Sequence, residues 1–270
     1  MEKQARVADQ GASRRLMAKN GVVARPVWLH IPEWLTGDTW HFPYACETFE
    51  KYIPPQSLAL EIGFGSGRMI TRIARDLNCR CVGVDLDGSA FPCLSYFSRQ
   101  AGIETEPIRG SGLCLPFKDN SFDAVYSEGV IEHFPLAQSH EMLAEHARVC
   151  RRGGVVVVSV PNRFAVVHQV TKLLMGEGFL FYPEASLSIF ELCRLMASVG
   201  LKPVERNGFA FGCQFYLFQT LFLDQASPKR LSKGALRLLS MLIRTGLYHF
   251  QNPVLNSLIG FQVLAVGHKC

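Results

Sequence analysis

The sequence lacks the regular cysteine spacing that metal sites and disulfide frameworks require. It contains nine cysteines, an odd number, and no two of them form a CxxC pair. Structural zinc sites and small disulfide-rich folds use closely repeated spacings. Cys79 and Cys81 alternate around Arg80 at the start of an apolar run, so we expect one of them to point into the core. We expect reduced, structural cysteines and a cytoplasmic protein.

Long hydrophobic runs are also missing. The first 27 residues carry six cationic side chains but no apolar stretch of the signal-peptide type, so we expect no secretory signal there. The most apolar window, Phe209 to Leu223, is interrupted by Gln214 and Gln219. It is shorter than the roughly 20 residues that a spanning helix needs, and we expect no membrane-crossing segment.

Neither charge sign dominates the chain. Twenty-eight Lys and Arg residues face 23 Asp and Glu residues, which leaves a net charge of +5 over 270 residues. This excess is too weak to indicate a nucleic-acid partner, and we expect none. Hydrophobic residues make up 48% and charged residues 19% of the chain, as in globular proteins, so the chain can bury a substantial core.

From Leu58 onward, short apolar runs alternate with helical patterns. We predict strands at SLALEIG, RCVGVDL, FDAVYSE, VVVVSVP, LKPVERN and FQVLAVGHK, with a weaker one from Ile103 to Ile108. Ser89 is the predicted cap of the helix that follows the second strand. This alternation predicts an α/β fold with a mostly parallel sheet and helices on both faces.

The remaining segments predict the domain organisation. We expect an N-terminal arm or lid over residues 1–47 and one domain over residues 48–270. Within that domain, the stretches 163–183 and 208–260 are too long for plain connections, so we expect them to carry helices that roof the site.

The first predicted strand ends in Glu61 and runs into the turn G-F-G-S-G, from Gly63 to Gly67. Glycines let the backbone turn sharply and let a ligand approach the next helix closely. Asp85 ends the second strand, where a carboxylate can accept hydrogen bonds from both hydroxyls of a ribose. Together the two features indicate an adenosine-containing ligand, with a ligand-free glycine turn as the alternative.

Further motifs resemble those of class I S-adenosylmethionine-dependent methyltransferases. LEIGFGSG, GVDLD, LPFKDNSFDAV, SEGVIEHF, RRGGVVVVSVPN and FQVLAVGHK occur in the order seen in that family, over about Leu58 to Gly208 and the last strand. The resemblance implies a Rossmann-like, seven-stranded sheet whose last strand is antiparallel. It also implies S-adenosyl-L-methionine as the cofactor and S-adenosyl-L-homocysteine as its product.

The resemblance also implies roles for individual residues. Glu61 would hold the methionine ammonium group, Asp85 would bind the ribose, and Leu86 would lie against the adenine. Ser111 stands where similar proteins often carry an acidic residue for the adenine amino group, and its hydroxyl can replace that contact. The expected cofactor-binding residues are Glu61, Gly63, Phe64, Gly65, Gly67, Asp85, Leu86, Ser111, Gly112, Leu113, Glu128 and Gly129.

Methyl transfer from a sulfonium depends mainly on holding donor and acceptor in line. His133, with Glu132 beside it, is the candidate catalytic base, because a neutral imidazole can remove a proton near pH 7. The alternative is that His133 has a structural role.

The pair Glu132 and His133 also resembles the metal-binding loop of polyprenyl O-methyltransferases of ubiquinone synthesis. Here Gly129 replaces a glutamate of that loop and Glu128 is shifted by one position, so we do not expect a divalent metal.

Other histidines are weaker candidates. His30 and His41 lie in an aromatic stretch of the arm that could stack on a flat acceptor or pack on the domain. His140, His146 and His168 are expected on helix surfaces.

The expected activity is methyl transfer, most consistent with O-methylation, to a small and rather apolar acceptor such as a lipid, a quinone, a glycolipid precursor or a specialised metabolite. A basic amphipathic helix predicted after Pro228 could rest on an anionic membrane, which would make the protein a peripheral membrane protein, or could pack over the sheet.

A nicotinamide-dependent oxidoreductase is the alternative enzyme, although no Tyr-xxx-Lys pair is evident. A non-catalytic methyltransferase-like subunit is the alternative from another class.

Overall fold

A computed structural model describes residues 42–176, 184–212 and 252–270 of the chain. The strands are β1 Leu58–Ile62, β2 Arg80–Asp85, β3 Glu106–Arg109, β4 Phe122–Glu128, β5 Cys150–Pro161, β6 Leu201–Phe209 and β7 Gln262–Lys269. The helices are α1 Phe42–Glu50, α2 Arg68–Asp76, α3 Ala90–Ala101, α4 Leu136–Val149, α5 Val166–Met175, α6 Ile189–Ser198 and α7 Pro253–Ile259, with a 3₁₀ helix at Ile131–His133.

The seven strands form one sheet in the order β3-β2-β1-β4-β5-β7-β6. Strands β1 to β5 pair in parallel, and β7 runs antiparallel to both β5 and β6. The predicted mostly parallel, Rossmann-like sheet with an antiparallel last strand is therefore confirmed. The strand order reverses between β1 and β4, and in open α/β sheets a ligand crevice lies at the carboxyl ends of the strands at such a point.

Two apolar cores cover the two faces of the sheet. On one face, Phe49 of α1 packs edge-on against Tyr126 of β4, with ring centroids 5.9 Å apart. On the other face, Met142 and Leu143 of α4 belong to the same cluster as Val125 of β4. The apolar run of β5, Val155 to Val158, is buried between the two layers, as expected for an inner strand.

Several local predictions were wrong in their details. The third strand begins at Glu106 rather than at Ile103, because it is a short and largely exposed edge strand. Cys79 and Cys81 are both buried in the same core cluster, because residues two apart on an extended chain point to the same side, while Arg80 between them is exposed. Ser89 makes no capping hydrogen bond, because its hydroxyl donates to Asp87 Oδ2 at 2.8 Å.

Two histidines that were expected on helix surfaces are fully buried. His146 of α4 faces β4, where its Nε2 lies 3.0 Å from Ser127 Oγ. Burial lowers the pKa of His146 to about 4, so the imidazole is neutral and structural. His168 of α5 is also buried and lies 2.9 Å from Glu184 Oε1. His140 is exposed, as expected.

Some sequence predictions fall on residues that the structure does not describe. These are His30, His41, most of the arm, and the helix expected after Pro228. Of the two long stretches, 163–183 contains α5 and 208–260 contains α7. Among the helices in the described ranges, none is long and apolar enough to span a membrane.

Candidate functional site

The turn between β1 and α2 is built from glycines in left-handed backbone conformations. Gly63, Gly65 and Gly67 have φ angles of 73°, 49° and 77°. A Cβ atom on Gly63 would lie 2.6 Å from a methyl carbon of Val130, and one on Gly67 would lie 2.6 Å from the Cα of Leu94. Side chains are therefore excluded at both positions, and the turn stays close to the loop after β4.

Phe64, which lies within this turn, packs its ring into an apolar core cluster. The side chain is buried and packs edge-on against Phe91, with ring centroids 5.3 Å apart. Its contribution to a cofactor site would therefore come from its backbone.

Glu61 is a buried carboxyl near the end of β1. Its Oε2 has no hydrogen-bond partner within the described part of the chain. Burial, followed by the nearby charge of Glu128, raises the pKa of Glu61 well above its usual value. A buried carboxyl oxygen without a partner costs free energy, which a ligand that brings a cationic hydrogen-bond donor would recover.

Asp85 connects the glycine turn to the loop after β2. Its Oδ2 accepts a hydrogen bond from the Gly65 N–H at 2.8 Å, and its Oδ1 accepts one from the Asp87 N–H at 2.8 Å. Burial raises the pKa of Asp85 to about 6, although both N–H bonds act in the opposite direction. Each carboxylate oxygen keeps a second lone pair for a ligand hydroxyl. The neighbouring Leu86 is half-buried.

The turn after β3 lies against the end of β1. A Cβ atom on Gly112 would lie 2.9 Å from the Ile62 side chain, so the turn approaches that strand closely. The Ser111 hydroxyl accepts a hydrogen bond from the Leu113 N–H at 3.2 Å, which leaves its own proton available for a ligand.

The loop after β4 completes this edge of the sheet. Gly129 has a φ angle of 66°, and its N–H donates to the carbonyl of Ser159 on β5 at 3.0 Å. Glu128 is half-buried, and its charge acts on Glu61. The structure thus places the predicted residues at the carboxyl ends of β1, β2, β3 and β4, which are neighbours along one edge of the sheet.

Glu132 and His133 lie on the 3₁₀ helix that follows this loop. The Glu132 side chain is only 2% exposed and the His133 side chain is 25% exposed. Their side-chain atoms Glu132 Oε1 and His133 Nε2 are 3.9 Å apart, which is too long for a hydrogen bond. Burial, followed by the charge of Glu184, raises the pKa of Glu132 well above its usual value. The charged form of Glu132 is therefore disfavoured, and the partly exposed His133 is the more accessible of the two side chains.

A buried polar cluster behind this helix was not predicted. His168 Nε2 and Lys172 Nζ lie 2.9 Å and 2.8 Å from Glu184 Oε1. Although burial alone would raise it, the pKa of Glu184 falls to about 2, because His168 and Lys172 stabilise the carboxylate. The Ala185 N–H donates to the Glu132 carbonyl at 2.8 Å and so connects the cluster to the candidate catalytic loop.

The sequence carried one signal for this cluster. His168, Gln169, Thr171 and Lys172 place four polar residues along one short helical stretch. The partner Glu184 lies 12 residues beyond Lys172 and outside α5, so its position could not be inferred from helical spacing. Within the ranges 42–176, 184–212 and 252–270, no group of three or more His, Cys, Asp or Glu side chains is arranged to hold a metal ion.

The sequence is similar to known methyltransferases. Residues 60–158 match the family model described as "Methyltransferase domain". A ubiquinone biosynthesis O-methyltransferase of Ruegeria sp. is 25% identical over 158 residues, which cover 56% of this chain and 63% of that protein. Norajmaline N-methyltransferase of Rauvolfia serpentina is 29% identical over 101 residues, which cover 37% of this chain and 34% of that protein. The matches thus span only part of these curated relatives.

The fold is similar to that of solved methyltransferase structures. Geranyl diphosphate C-methyltransferase of Streptomyces coelicolor, solved with Mg²⁺, geranyl diphosphate and S-adenosyl-L-homocysteine, aligns with a TM-score of 0.58 and 16% identity. The alignment covers 85% of this chain and 79% of that protein. At this identity the likeness concerns the fold alone. The matching family model covers residues 60–158, and over that stretch the chain is similar to methyltransferases.

Proposed function

We propose that the chain binds S-adenosyl-L-methionine and transfers its methyl group to a small-molecule acceptor. The observation that carries this proposal is the buried Glu61 carboxyl, whose Oε2 has no partner in the described structure, beside a turn that excludes side chains. The cofactor's ammonium group would supply the missing donor. The free lone pairs of Asp85 would accept the ribose hydroxyls, and Leu86 and the turn at Ser111 would border the adenine.

The chain's own residues then have mainly a positioning role. When bound, the cofactor supplies an electrophilic methyl group, and in-line placement of the acceptor accounts for most of the catalysis. Because His133 is partly exposed beside the loop after β4, it would take the acceptor's proton if that proton must leave. Glu132 is buried and its pKa is raised, so it would help to fix this loop rather than contact the acceptor as a base.

We further infer that the acceptor is apolar and is methylated on oxygen. The O-methyltransferase of ubiquinone biosynthesis supports oxygen, and the geranyl diphosphate enzyme shows that this fold accommodates an apolar chain in another protein. The norajmaline enzyme is an N-methyltransferase, so the relatives leave nitrogen as the competing atom. A base such as His133 suits a hydroxyl acceptor, which has a proton to lose.

The activity can be tested by incubating the protein with cofactor labelled in its methyl group and with lipid, quinone and polar extracts. We expect the labelled methyl group in an organic-soluble product, bonded to oxygen as a methyl ether or a methyl ester. A label recovered on nitrogen would correct the acceptor class. Tight cofactor binding with no labelled product from any extract would favour a non-catalytic binding subunit.

Once the acceptor is known, His133→Gln should reduce kcat by about 10²-fold or more, because general-base assistance is worth on the order of 10²–10⁴. The dissociation constant for S-adenosyl-L-homocysteine should remain unchanged. His140→Gln, at an exposed position on α4, is the matched control and should leave both quantities unchanged. Full activity in His133→Gln would mean that positioning alone accounts for the rate.

A further inference from the structure

One side of α4 holds the segment that follows β3. Met142, Glu145 and Arg148 recur every three residues along this helix, so they lie on neighbouring positions of its surface. Each of them contacts a different part of the segment 112–119. This segment begins in the turn that would border the adenine, so α4 is connected to the candidate cofactor site although it lies behind it in sequence.

Met142 packs against the turn itself. The side chain is 1% exposed, and a Cβ atom on Gly112 would lie 3.2 Å from Met142 Cε and 2.9 Å from the Ile62 side chain. The backbone at Gly112 is therefore packed between α4 and the end of β1. In a close-packed interior, the turn cannot move toward either element without displacing these side chains.

Glu145 and Arg148 bind the main chain just beyond the turn. Glu145 Oε2 accepts a hydrogen bond from the Leu115 N–H at 2.6 Å. Arg148 Nη2 donates to the Leu115 carbonyl at 3.0 Å, and its Nη1 donates to the Phe117 carbonyl at 2.7 Å. Both polar groups of the Leu115 main chain are thus held by side chains of α4.

The same two side chains form an ion pair. Arg148 Nε donates to Glu145 Oε1 at 2.6 Å, and Nη1 also donates to Asp119 Oδ1 at 2.9 Å. Hydrogen bonding from Arg148 lowers the pKa of Glu145, so the carboxylate is charged near neutral pH. The guanidinium joins two carboxylates and two main-chain carbonyls, which its planar set of donors allows and the compact ammonium of a lysine does not.

The turn is held at its other end by the strand that carries Asp85. The Gly110 N–H donates to the Asp85 carbonyl at 3.0 Å, and within the turn the Leu113 N–H donates to Ser111 Oγ at 3.2 Å. The Ser111 hydroxyl therefore lies between an anchor on β2 and the anchor of Leu115 on α4. Displacing Leu115 would change the position of that hydroxyl relative to the Asp85 carboxylate.

We propose that Arg148, together with Glu145, is a positioning residue for cofactor recognition, because it holds the turn at Ser111 in the place that the adenosine requires. The inference rests on the proposed function, since it takes this turn to border the adenine. Arg148 acts through the main chain of Leu115 and Phe117. Its loss should therefore cost affinity for the cofactor in addition to stability of the fold.

A double-mutant cycle tests this role with S-adenosyl-L-homocysteine as the probe. Calorimetric titrations compare the wild type, Arg148→Lys, Ser111→Ala and the double variant. We expect each single substitution to weaken binding about fivefold, as for the loss of one hydrogen bond. If Arg148 acts through the turn, the two effects are coupled, and the double variant should bind about fivefold to tenfold more weakly than the wild type. Independent effects would multiply to about 25-fold.

Arg151, near the start of β5, supplies a matched control. Its Nε donates to Asp123 Oδ1 and its Nη1 to the Arg152 carbonyl, and neither contact involves the segment 112–119. Arg151→Lys should bind the probe like the wild type. Combined with Ser111→Ala, it should show the affinity of Ser111→Ala alone.

A second variant covers the case in which Arg148→Lys does not fold. Glu145→Ala removes the acceptor of the Leu115 N–H but leaves the Arg148 bonds to the two carbonyls, and it should show the same coupling to Ser111→Ala. All titrations are made well below the lowest melting temperature of the set, so that a loss of affinity is not a loss of folded protein.

The outcomes separate this inference from the proposed function. Effects of Arg148→Lys and Ser111→Ala that multiply, or an Arg148→Lys variant with wild-type affinity, would make Arg148 a purely structural residue. Wild-type affinity in Ser111→Ala would remove the turn from the cofactor site. Each of these results would overturn the inference while the wild type still binds the probe. A wild type that does not bind S-adenosyl-L-homocysteine would contradict the proposed function, and the inference with it.

Discussion

At the scale of single residues, the site depends on glycines that tolerate no Cβ and on carboxyls that lie away from water. These two kinds of residue report on different properties. The glycines determine whether the turn can form, and the buried carboxyls couple stability to pH. Both effects can be measured without an acceptor.

Replacing Gly67 by Ala should strongly destabilise the fold. The residue has a φ angle of 77°, and its Cβ would lie 2.6 Å from the backbone of Leu94. We expect a loss of about 2–4 kcal/mol in the free energy of unfolding, measured by urea denaturation. Gly102→Ala is the control, since Gly102 has a φ angle of 64° but no atom within 4 Å of its Cβ position. It should cost only about 1–2 kcal/mol. Equal losses would contradict the close packing of α2 against α3.

Replacing Glu132 by Gln should stabilise the protein increasingly as the pH rises. The pKa of Glu132 is higher in the folded than in the unfolded protein, because burial disfavours its charge. Above the ordinary pKa of 4.5 the unfolded chain releases a proton that the folded chain keeps, so the wild type loses stability as the pH rises. Each unit of upward shift costs about 1.4 kcal/mol, which Gln avoids.

Urea titrations at pH 4 and pH 7 would measure this effect. The two proteins should differ little near pH 4, and Glu132→Gln should be the more stable at pH 7. Glu141→Gln, at an exposed position on α4, is the control and should follow the wild type at both values. If Glu132→Gln instead lowered the free energy of unfolding relative to the wild type, and did so more at pH 7 than at pH 4, Glu132 would be ionised and paired.

At the scale of elements, α5 shows most clearly where inference from sequence ends. Strands β1, β2, β4 and β5 were predicted because unbroken apolar runs bounded by polar residues identify buried parallel strands. Periodicity identifies the face on which side chains lie, but it does not say which face is covered. The buried positions of His146 and His168 were missed for this reason.

The α5 cluster should contribute substantially to stability through its charge pairing. Glu184→Gln leaves the half-buried Lys172 without its anionic partner, so we expect a loss of about 2–3 kcal/mol in urea denaturation, below the roughly 3–5 kcal/mol of a fully buried pair. The double variant Glu184→Gln/Lys172→Met removes both charges and should recover part of that loss. A double variant that is no more stable than Glu184→Gln would show that hydrogen bonds to His168 and Ser186, rather than charge, hold the cluster.

At the scale of the whole molecule, the sheet topology and the cofactor edge followed from the sequence, whereas the acceptor side did not. The cofactor motifs are local, because each lies at the end of one strand and the parallel sheet brings the ends together. Helices α5 and α7, in the stretches expected to roof the site, depend on contacts between distant segments, such as those of Asn162 with Leu258 and of Phe211 with Asn256. Sequence motifs therefore identify the cofactor more readily than the molecule that is methylated.

Calorimetric titration with S-adenosyl-L-homocysteine tests the central claim most directly. The wild type should bind it and should not bind NAD or NADP. Asp85→Ala should weaken binding about tenfold or more, because each charge-assisted hydrogen bond to the ribose is worth roughly 1.5–3 kcal/mol. Asp76→Ala, in an exposed ion pair with Arg75, should bind like the wild type. Tight binding of NAD with no response to S-adenosyl-L-homocysteine would contradict the account.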